Sequence, residues 1–339
     1  MATVVTANTV TDLATAPDPT QTHFSRKLLT RAKYYDYFGR WAEEIPLPMN
    51  EGLNVIVRRW LHLAMALSPL TEGVPPGGKT PALDDFSATL QQFGDFIAAS
   101  DFMRWTEIDP ALNDWVSLLG EQAGYTIDTV RRNTADAGTN VQFSNGTART
   151  QVVSIVTGNF YDRAQTTLMA NGAEMPIGGG ASSTGVGTAP TLPGYPCVIH
   201  PFTYRTVKNL AGFITPAQNA RMPEGCVGNL GMIYFYVSPD PSSVGAGSRI
   251  RTGAGGTSTT VRNTAGTVDV FEDIFFSRRG FNSVKLSGKS LMNYVKPVGS
   301  AGALDPLEQV GTIGWKSTLT QLITNQNWVL RGEHAVELI

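Results

Sequence analysis

Few residues of this chain have the type and spacing that chemistry needs. Gly288, Lys289 and Ser290 end like a phosphate-binding loop, but such a loop needs a glycine five positions before its second one, and that position holds Ser283. Without that glycine the backbone cannot wrap a phosphate. Gly185 and Gly187 begin a dinucleotide-type glycine run that meets Pro190 where the third glycine belongs, and no helical pattern follows. No Gly-x-Ser-x-Gly elbow occurs. Cys197 and His200 could supply half of a zinc site, yet Cys226 has no His or Cys beside it, and His23, His62 and His334 are scattered. A core strand is the simpler reading of that pair. Asn145, Gly146 and Thr147 match a glycosylation acceptor and read as a turn. The chain is therefore expected to be no enzyme and to hold no metal and no cofactor.

The bulk composition agrees with a structural role. Of 339 residues, 42% are hydrophobic and 16% charged, which suits a folded chain and is too apolar for a disordered one. The 35 glycines and 20 prolines call for many turns and extended loops. Lys and Arg number 26 against 28 Asp and Glu, so no basic excess advertises sequence-specific nucleic-acid binding. That balance does not exclude DNA as a neighbour. Two cysteines make no disulfide framework. The first 21 residues lack a basic and apolar leader, and no apolar run approaches a bilayer's thickness, so neither secretion nor a membrane partner is expected.

Residues 1–21 read as a weakly structured arm. In 23–40, Arg26, Lys27, Arg31, Lys33 and Arg40 are interleaved with Phe24, Leu28, Leu29, Tyr34, Tyr35, Tyr37 and Phe38. This is an amphipathic helix with a basic face, suited to docking on a neighbouring subunit or to facing phosphates. Val55 to Val57 mark one strand and 86–99 a second, with Phe86, Phe93 and Phe96. The Pro-Pro-Gly-Gly stretch between them can continue neither strand, so 45–99 predicts a long projecting hairpin that needs a partner surface. Asp109 and Pro110 start a helix whose Leu112, Trp115, Val116, Leu119, Ala123, Ile127 and Val130 recur at three- and four-residue steps until Gly138. Gly120 and Gly124 share one face and predict a close packing partner in water. Beyond it the pattern predicts a strand at 151–156, a helix at 159–171 and a loop at 178–194. A strand at 195–200 feeds a helix from Pro201, and a further strand covers 231–237. A surface loop at 242–266 and a closing hairpin over 312–337, turning near Asn325 to Asn327, complete the reading. Strands and helices mix without regular alternation, which defines an α+β class.

The stretches at 28–48, 68–78, 91–101, 118–140 and 305–335 resemble the major head protein family typified by the short-tailed coliphage N-four, within the Hong Kong 97-type capsid fold. The centre is similar only in outline, at 195–210 and 225–239. The resemblance implies an N-terminal arm over 1–44, an extended loop over 45–100 and a peripheral domain with a spine helix over 101–147. An axial domain would follow over 148–300, with a return to the peripheral domain over 301–339. It implies a structural protein that self-assembles as pentamers and hexamers into the icosahedral head of a tailed bacteriophage. The implied partners are its own copies, a portal protein, a separate scaffolding protein, a decoration or cement protein, and packaged double-stranded DNA held without regard to sequence. On this reading intersubunit contacts fall at Thr71, Glu72, Gly73 and Lys79 on the loop and at Phe24, Tyr34 and Tyr35 on the arm. Arg26, Lys27, Arg31 and Lys33 face DNA phosphates. A covalent cross-link through Lys79 would need a matched acceptor and an acid that the sequence does not identify. The competing readings are a nanocompartment shell of the same fold and an unrecognised virion enzyme or receptor-binding protein.

Overall fold

The computed structural model describes residues 28–32, 35–102, 111–178, 192–218, 222–239, 250–256, 260–299 and 306–338. A short helical turn at 28–32 and a 3-10 turn at Gly39–Trp41 precede β1 (Glu43–Leu47). Then come β2 (Asn54–Trp60), β3 (Leu83–Thr89), β4 (Gln91–Ser100) and the long helix α1 (Ala111–Asp136). β5 (Val141–Phe143), α2 (Gly158–Ala170), β6 (Tyr195–Ile199) and α3 (Pro201–Val207) follow. The strands β7 (Gly228–Leu230), β8 (Ile233–Val237), β9 (Arg251–Gly255), β10 (Asn263–Thr264) and β11 (Thr267–Phe276) come next. The chain closes with β12 (Phe281–Leu286), β13 (Met292–Lys296), β14 (Val310–Ile323) and β15 (Val329–Ala335).

Three sheets are built from these strands. β14 is the axis of a five-stranded sheet: β12 and then β13 run antiparallel along it, β4 pairs with it, and β1 lies parallel to β12. β13 and β4 pair with the same stretch of β14, so they occupy its two sides. An eight-stranded sheet runs β5-β15-β11-β6-β8-β7, with β9 and β10 also paired to β11. β2 and β3 form a separate antiparallel pair.

Packing follows from which faces are apolar. β6 and nearly all of β11 are buried on both faces. On one side Phe275, Cys197 and Ile199 meet Phe160, Tyr161, Ala164 and Leu168 of α2. On the other, Ile274, Phe276 and Val198 meet Phe38 of the arm and Ala135 of α1. α1 lays Val116, Leu119 and Ala123 on Ile313 and Trp315 of β14. Its end is tied to the eight-stranded sheet by an ion-pair network. Asp136 pairs with Arg251 at 2.8 Å and Arg331 at 3.1 Å, while Arg149 reaches Glu333 at 2.7 Å and Glu272 at 3.1 Å. His200 caps α3, its Nδ1 accepting the Phe202 N–H at 3.1 Å.

Four expectations are corrected. The strand expected over 86–99 is two strands broken at the buried Leu90: β3 stays in the hairpin and β4 leaves for β14. The hairpin is thus narrower than 45–99. Residues 151–156 form no strand; a 3-10 turn at Arg149–Gln151 is followed by a single bridge from Ile155 to Ala335. The stretch 242–266, expected as loop, contains β9 and β10. The closing hairpin is not one, because β14 and β15 belong to different sheets. The chain crosses between these two sheets through α1 and again at 277–280 and 324–328, and the last two crossings bond to each other. Ser277 Oγ donates to the Trp328 carbonyl at 2.6 Å, and Thr324 Oγ1 donates to the Arg279 carbonyl at 2.7 Å. A boundary at 300 therefore does not separate the two sheets: β12 and β13 lie before it in the five-stranded sheet, and β15 after it in the eight-stranded one.

Candidate assembly surfaces

The arm is held to its own chain by the face of α1 that carries the two glycines. A Cβ on Gly120 would stand 2.8 Å from the Leu28 carbonyl oxygen, and one on Gly124 would stand 2.7 Å from that of Ala32. The absence of side chains lets the backbone of 28–32 lie directly on the helix. This is the close packing that the spacing predicts, with the arm as partner. Tyr35 is buried, its ring 4.4 Å from that of Tyr125. Arg31 is half exposed, 5.4 Å from the Tyr35 ring and 3.4 Å from Glu121. One turn further, Asp128 accepts the N–H groups of Tyr37 and Phe38, each at 2.8 Å, and Arg131 pairs with Asp36. Arg40 donates to the Glu224 carbonyl at 2.6 Å and sits over the Trp41 and Tyr236 rings.

Phe24, Arg26, Lys27, Lys33 and Tyr34 lie outside the described residues. Of the proposed arm contacts, Tyr35 is covered by its own chain and Arg31 already has a carboxylate beside it.

The second surface is the hairpin. Its base is anchored: Val55, Val57, Phe86 and Ala88 pack with Leu90, Ile45, Leu47, Val284, Leu286 and Leu322. Arg59 pairs with Asp84 at 2.8 Å and Arg58 with Asp85 at 3.4 Å across the strands. Such exposed pairs fix register more than they add stability. Beyond Trp60 every residue of 61–83 is exposed. Thr71, Glu72, Gly73 and Val74 form a turn closed by the Val74 N–H on the Thr71 carbonyl at 3.2 Å, with Gly73 at φ +77°, where a glycine is favoured. Lys79 Nζ donates to the Ala64 carbonyl at 2.6 Å and to that of Met65 at 3.1 Å. Thr71, Glu72, Gly73 and Lys79 thus gather on one exposed tip, apart from Tyr35 and Arg31.

Sequence reasoning missed two features. One is Asp128, a carboxylate that reads as part of a solvated helix face. The other is the run Leu61, Leu63, Met65 and Leu67, which are 41%, 57%, 82% and 83% exposed. Its period of two was the available signal.

The Cys197 and His200 pair is built into the core. Cys197 and Cys226 are free and buried. Among the described residues no three potential metal ligands cluster. Asp273 Oδ2 accepts from Tyr161 at 2.7 Å and lies 2.9 Å from His334 Nε2, all three side chains being fully buried. Burial disfavours a charged His334, but the Asp273 carboxylate and the hydrogen bonds outweigh it and raise its pKa. His334 Nδ1 faces the Ala335 carbonyl at 3.0 Å and so donates to it. With a carboxylate at Nε2, the His–Asp pair shares a further proton. This buried hydrogen-bonded cluster is suited to holding β15 on β11 and α2 on both.

No protein-family model matches the sequence, and no curated protein matches it. The fold does have solved counterparts. The capsid of Ralstonia phage GP4 matches with a TM-score of 0.60 at 12% identity over 87% of each chain. The head of Helicobacter pylori bacteriophage KHP40 gives 0.58 at 11%, over 88% of this chain and 87% of that one. The capsid of cyanophage P-SCSP1u gives 0.57 at 15%, over 87% of each. The chain has the α+β fold of Hong Kong 97-type phage capsids. At these identities the likeness is one of fold.

Proposed function

We propose that this chain is the major capsid protein of a tailed bacteriophage, of the coliphage N-four type. It would assemble as pentamers and hexamers into the head that encloses double-stranded DNA. The observation that carries the reading is a fold shared with phage capsids over nearly nine-tenths of both chains, joined to a hairpin whose apolar run, Leu61, Leu63, Met65 and Leu67, is exposed. Large exposed apolar surface marks a partner site. The role is structural, and stability in the particle depends on concentration because neighbours supply part of it. Thr71, Glu72, Gly73 and Lys79 are the hairpin's contacts with a neighbouring copy, and Phe24 and Tyr34 extend the contact on the arm. A portal protein, a separate scaffolding protein and a decoration protein complete the particle.

Purified protein imaged in negative stain tests the reading: closed shells support it, and DNA-filled particles from infected cells support the phage assignment. Dispersed monomers under all assembly conditions would overturn it. Arg26, Lys27, Arg31 and Lys33 contact phosphates without reading sequence. Charge reversal at Arg26, Lys27 and Arg31 then lowers packaged genome length more than shell yield. Normal packaging with failed shells would make this stretch an intersubunit contact instead.

A further inference from the structure

β14 has one face under α1 and one face open. Ile313 and Trp315 lie beneath the helix with Phe93 and Ile97 of β4. Successive residues of a strand point to opposite sides, so Thr312, Gly314 and Lys316 face the other way. Tyr294 and Lys296 of β13 and Phe96 of β4 stand beside them there. Two adjoining hollows of about 570 and 540 Å³ lie over this face and share Gln92, Tyr294 and Lys316.

At the centre the register sets Gly314 directly between Tyr294 and Phe96. The two aromatic residues are 42% and 66% exposed. They stand two strand spacings apart, about 9.6 Å at the backbone, and Gly314 puts no side chain between them. A Cβ on Gly314 would lie 2.8 Å from the Phe96 Cβ. A flat ring stacked on both sides needs about 7–8 Å between its neighbours, so each aromatic ring has only to lean inward by about 1 Å. A sheet face that presents aromatic rings in this way is a stacking platform for unpaired bases.

Charge selects the same occupant. Lys296 flanks the slot on one side and Lys316 on the other. Lys289 follows, its carbonyl accepting the Thr318 N–H at 3.3 Å. From the level of Thr312 to that of Thr318 these lysines span about 20 Å along β14. Among the described residues no carboxylate pairs with any of the three. Among the described residues lining the two hollows, Asp95 alone is acidic, and its carboxylate is turned to α1, accepting from Gln122 Nε2 at 2.6 Å. In a chain of net charge −2 this face is locally basic.

We propose that the open face of β13, β14 and β4 binds single-stranded nucleic acid, with one base held between Tyr294 and Phe96 and the flanking phosphates met by Lys289, Lys296 and Lys316. Stacking accepts any base and the lysines read no sequence, so the binding is sequence-tolerant. A duplex keeps its bases inside the stack and offers none to the slot. The surface is separate from the basic stretch of the arm, and the inference does not rest on the shell reading.

Fluorescence anisotropy of the unassembled full chain tests it, with a labelled oligothymidylate of about 15 nucleotides as the probe. The single strand should bind about ten-fold or more tighter than a duplex of the same length. Tyr294→Ala and Phe96→Ala should each weaken it by about ten-fold, and Tyr294→Phe should leave it unchanged. Lys316→Gln should weaken it and flatten the slope of log affinity against log salt by about 0.7. Lys316 is exposed, so this variant tests the face even where an alanine variant fails to fold by circular dichroism. No binding, equal binding of the duplex, or wild-type affinity in folded aromatic variants would overturn the proposal. Displacement of the strand by an equal concentration of thymidine monophosphate would overturn the strand as occupant. The measurement is made whether or not the chain closes shells, so its failure and that of the shell reading are distinct.

Discussion

Asp128 on α1 accepts the Phe38 backbone N–H at 2.8 Å through the same carboxylate oxygen that accepts the Tyr37 N–H. One side chain thus satisfies two donors where the arm passes from α1 to the eight-stranded sheet. Phe38 itself is fully buried there. Burial pushes the Asp128 carboxyl up to about 7, with repulsion from Asp36 adding to it, against the two N–H groups and Arg131.

A pH dependence follows. The folded value lies above the ordinary carboxylate value of about 4, so the folded chain keeps a proton that the unfolded chain releases. The stabilisation is complete below that ordinary value and is lost as pH rises through about 7. Glu272, also raised to about 7 by burial and then by Asp136, loses stabilisation over the same range. Asp128→Asn keeps an acceptor oxygen and cannot titrate. Its denaturant-unfolding stability, measured on unassembled chain, should fall less steeply with rising pH than that of the wild type. An identical slope would remove Asp128 as a source.

Gly124 offers a test of the arm's seat. Gly124→Ala adds helix propensity of about 1 kcal/mol, but its Cβ would stand 2.7 Å from the Ala32 carbonyl oxygen. The expected result is an intact α1 with a displaced arm, read as faster tryptic cleavage at Arg31 and an unchanged helical circular dichroism signal. Wild-type cleavage rates would mean that the helix and arm shift together without loosening.

The parts legible in the sequence are those whose signal is local. α1 announced itself through its three- and four-residue steps and Gly138, and the β6–α3 junction through Pro201. Pairing across the chain was not legible. β14 and β15 alternate and adjoin, which reads as a hairpin, yet β14 finds β4 some two hundred residues earlier and β15 finds β11. Nothing local distinguishes those outcomes. The hairpin tip around Thr71 to Lys79 could be placed from its prolines and glycines. The apolar run before it was passed over because Leu, Ala and Met lack the β-branched signature of a strand.

Arg149 predicts the cost of opening the network at the end of α1. It lies against Glu333 and Glu272, both almost fully buried. Arg149→Met leaves those carboxylates with fewer cations, but Glu272 keeps Arg251 and Glu333 keeps Arg331. Arg149 is also partly exposed, so the cost should fall below the about 3–5 kcal/mol of breaking a fully buried pair. Removing charge from both sides, with Glu333→Gln added, should recover part of the loss. The comparison is made by denaturant unfolding. A double variant less stable than the single by the full cost of Glu333→Gln alone would show that the two side chains are not coupled.

The hairpin tip predicts a separation of folding from assembly. The base of the hairpin is anchored by Val55, Val57, Phe86 and Ala88, and none of these contacts involves 71–81. The tip itself contributes one turn hydrogen bond and the two from Lys79 to Ala64 and Met65. Exposed hydrogen bonds of this kind carry little net stability. Replacing Thr71 to Pro81 with a short Gly-Ser linker should therefore leave a soluble monomer with the wild-type circular dichroism spectrum and nearly the wild-type unfolding midpoint. If the tip meets a neighbouring copy, the same variant should fail to close shells, because Thr71, Glu72, Gly73 and Lys79 are removed together and the carbonyls that Lys79 orders are released. Negative-stain counts of closed particles against the wild type decide it. Normal shells would show that the tip is dispensable, and a monomer that no longer folds would show that it stabilises its own chain.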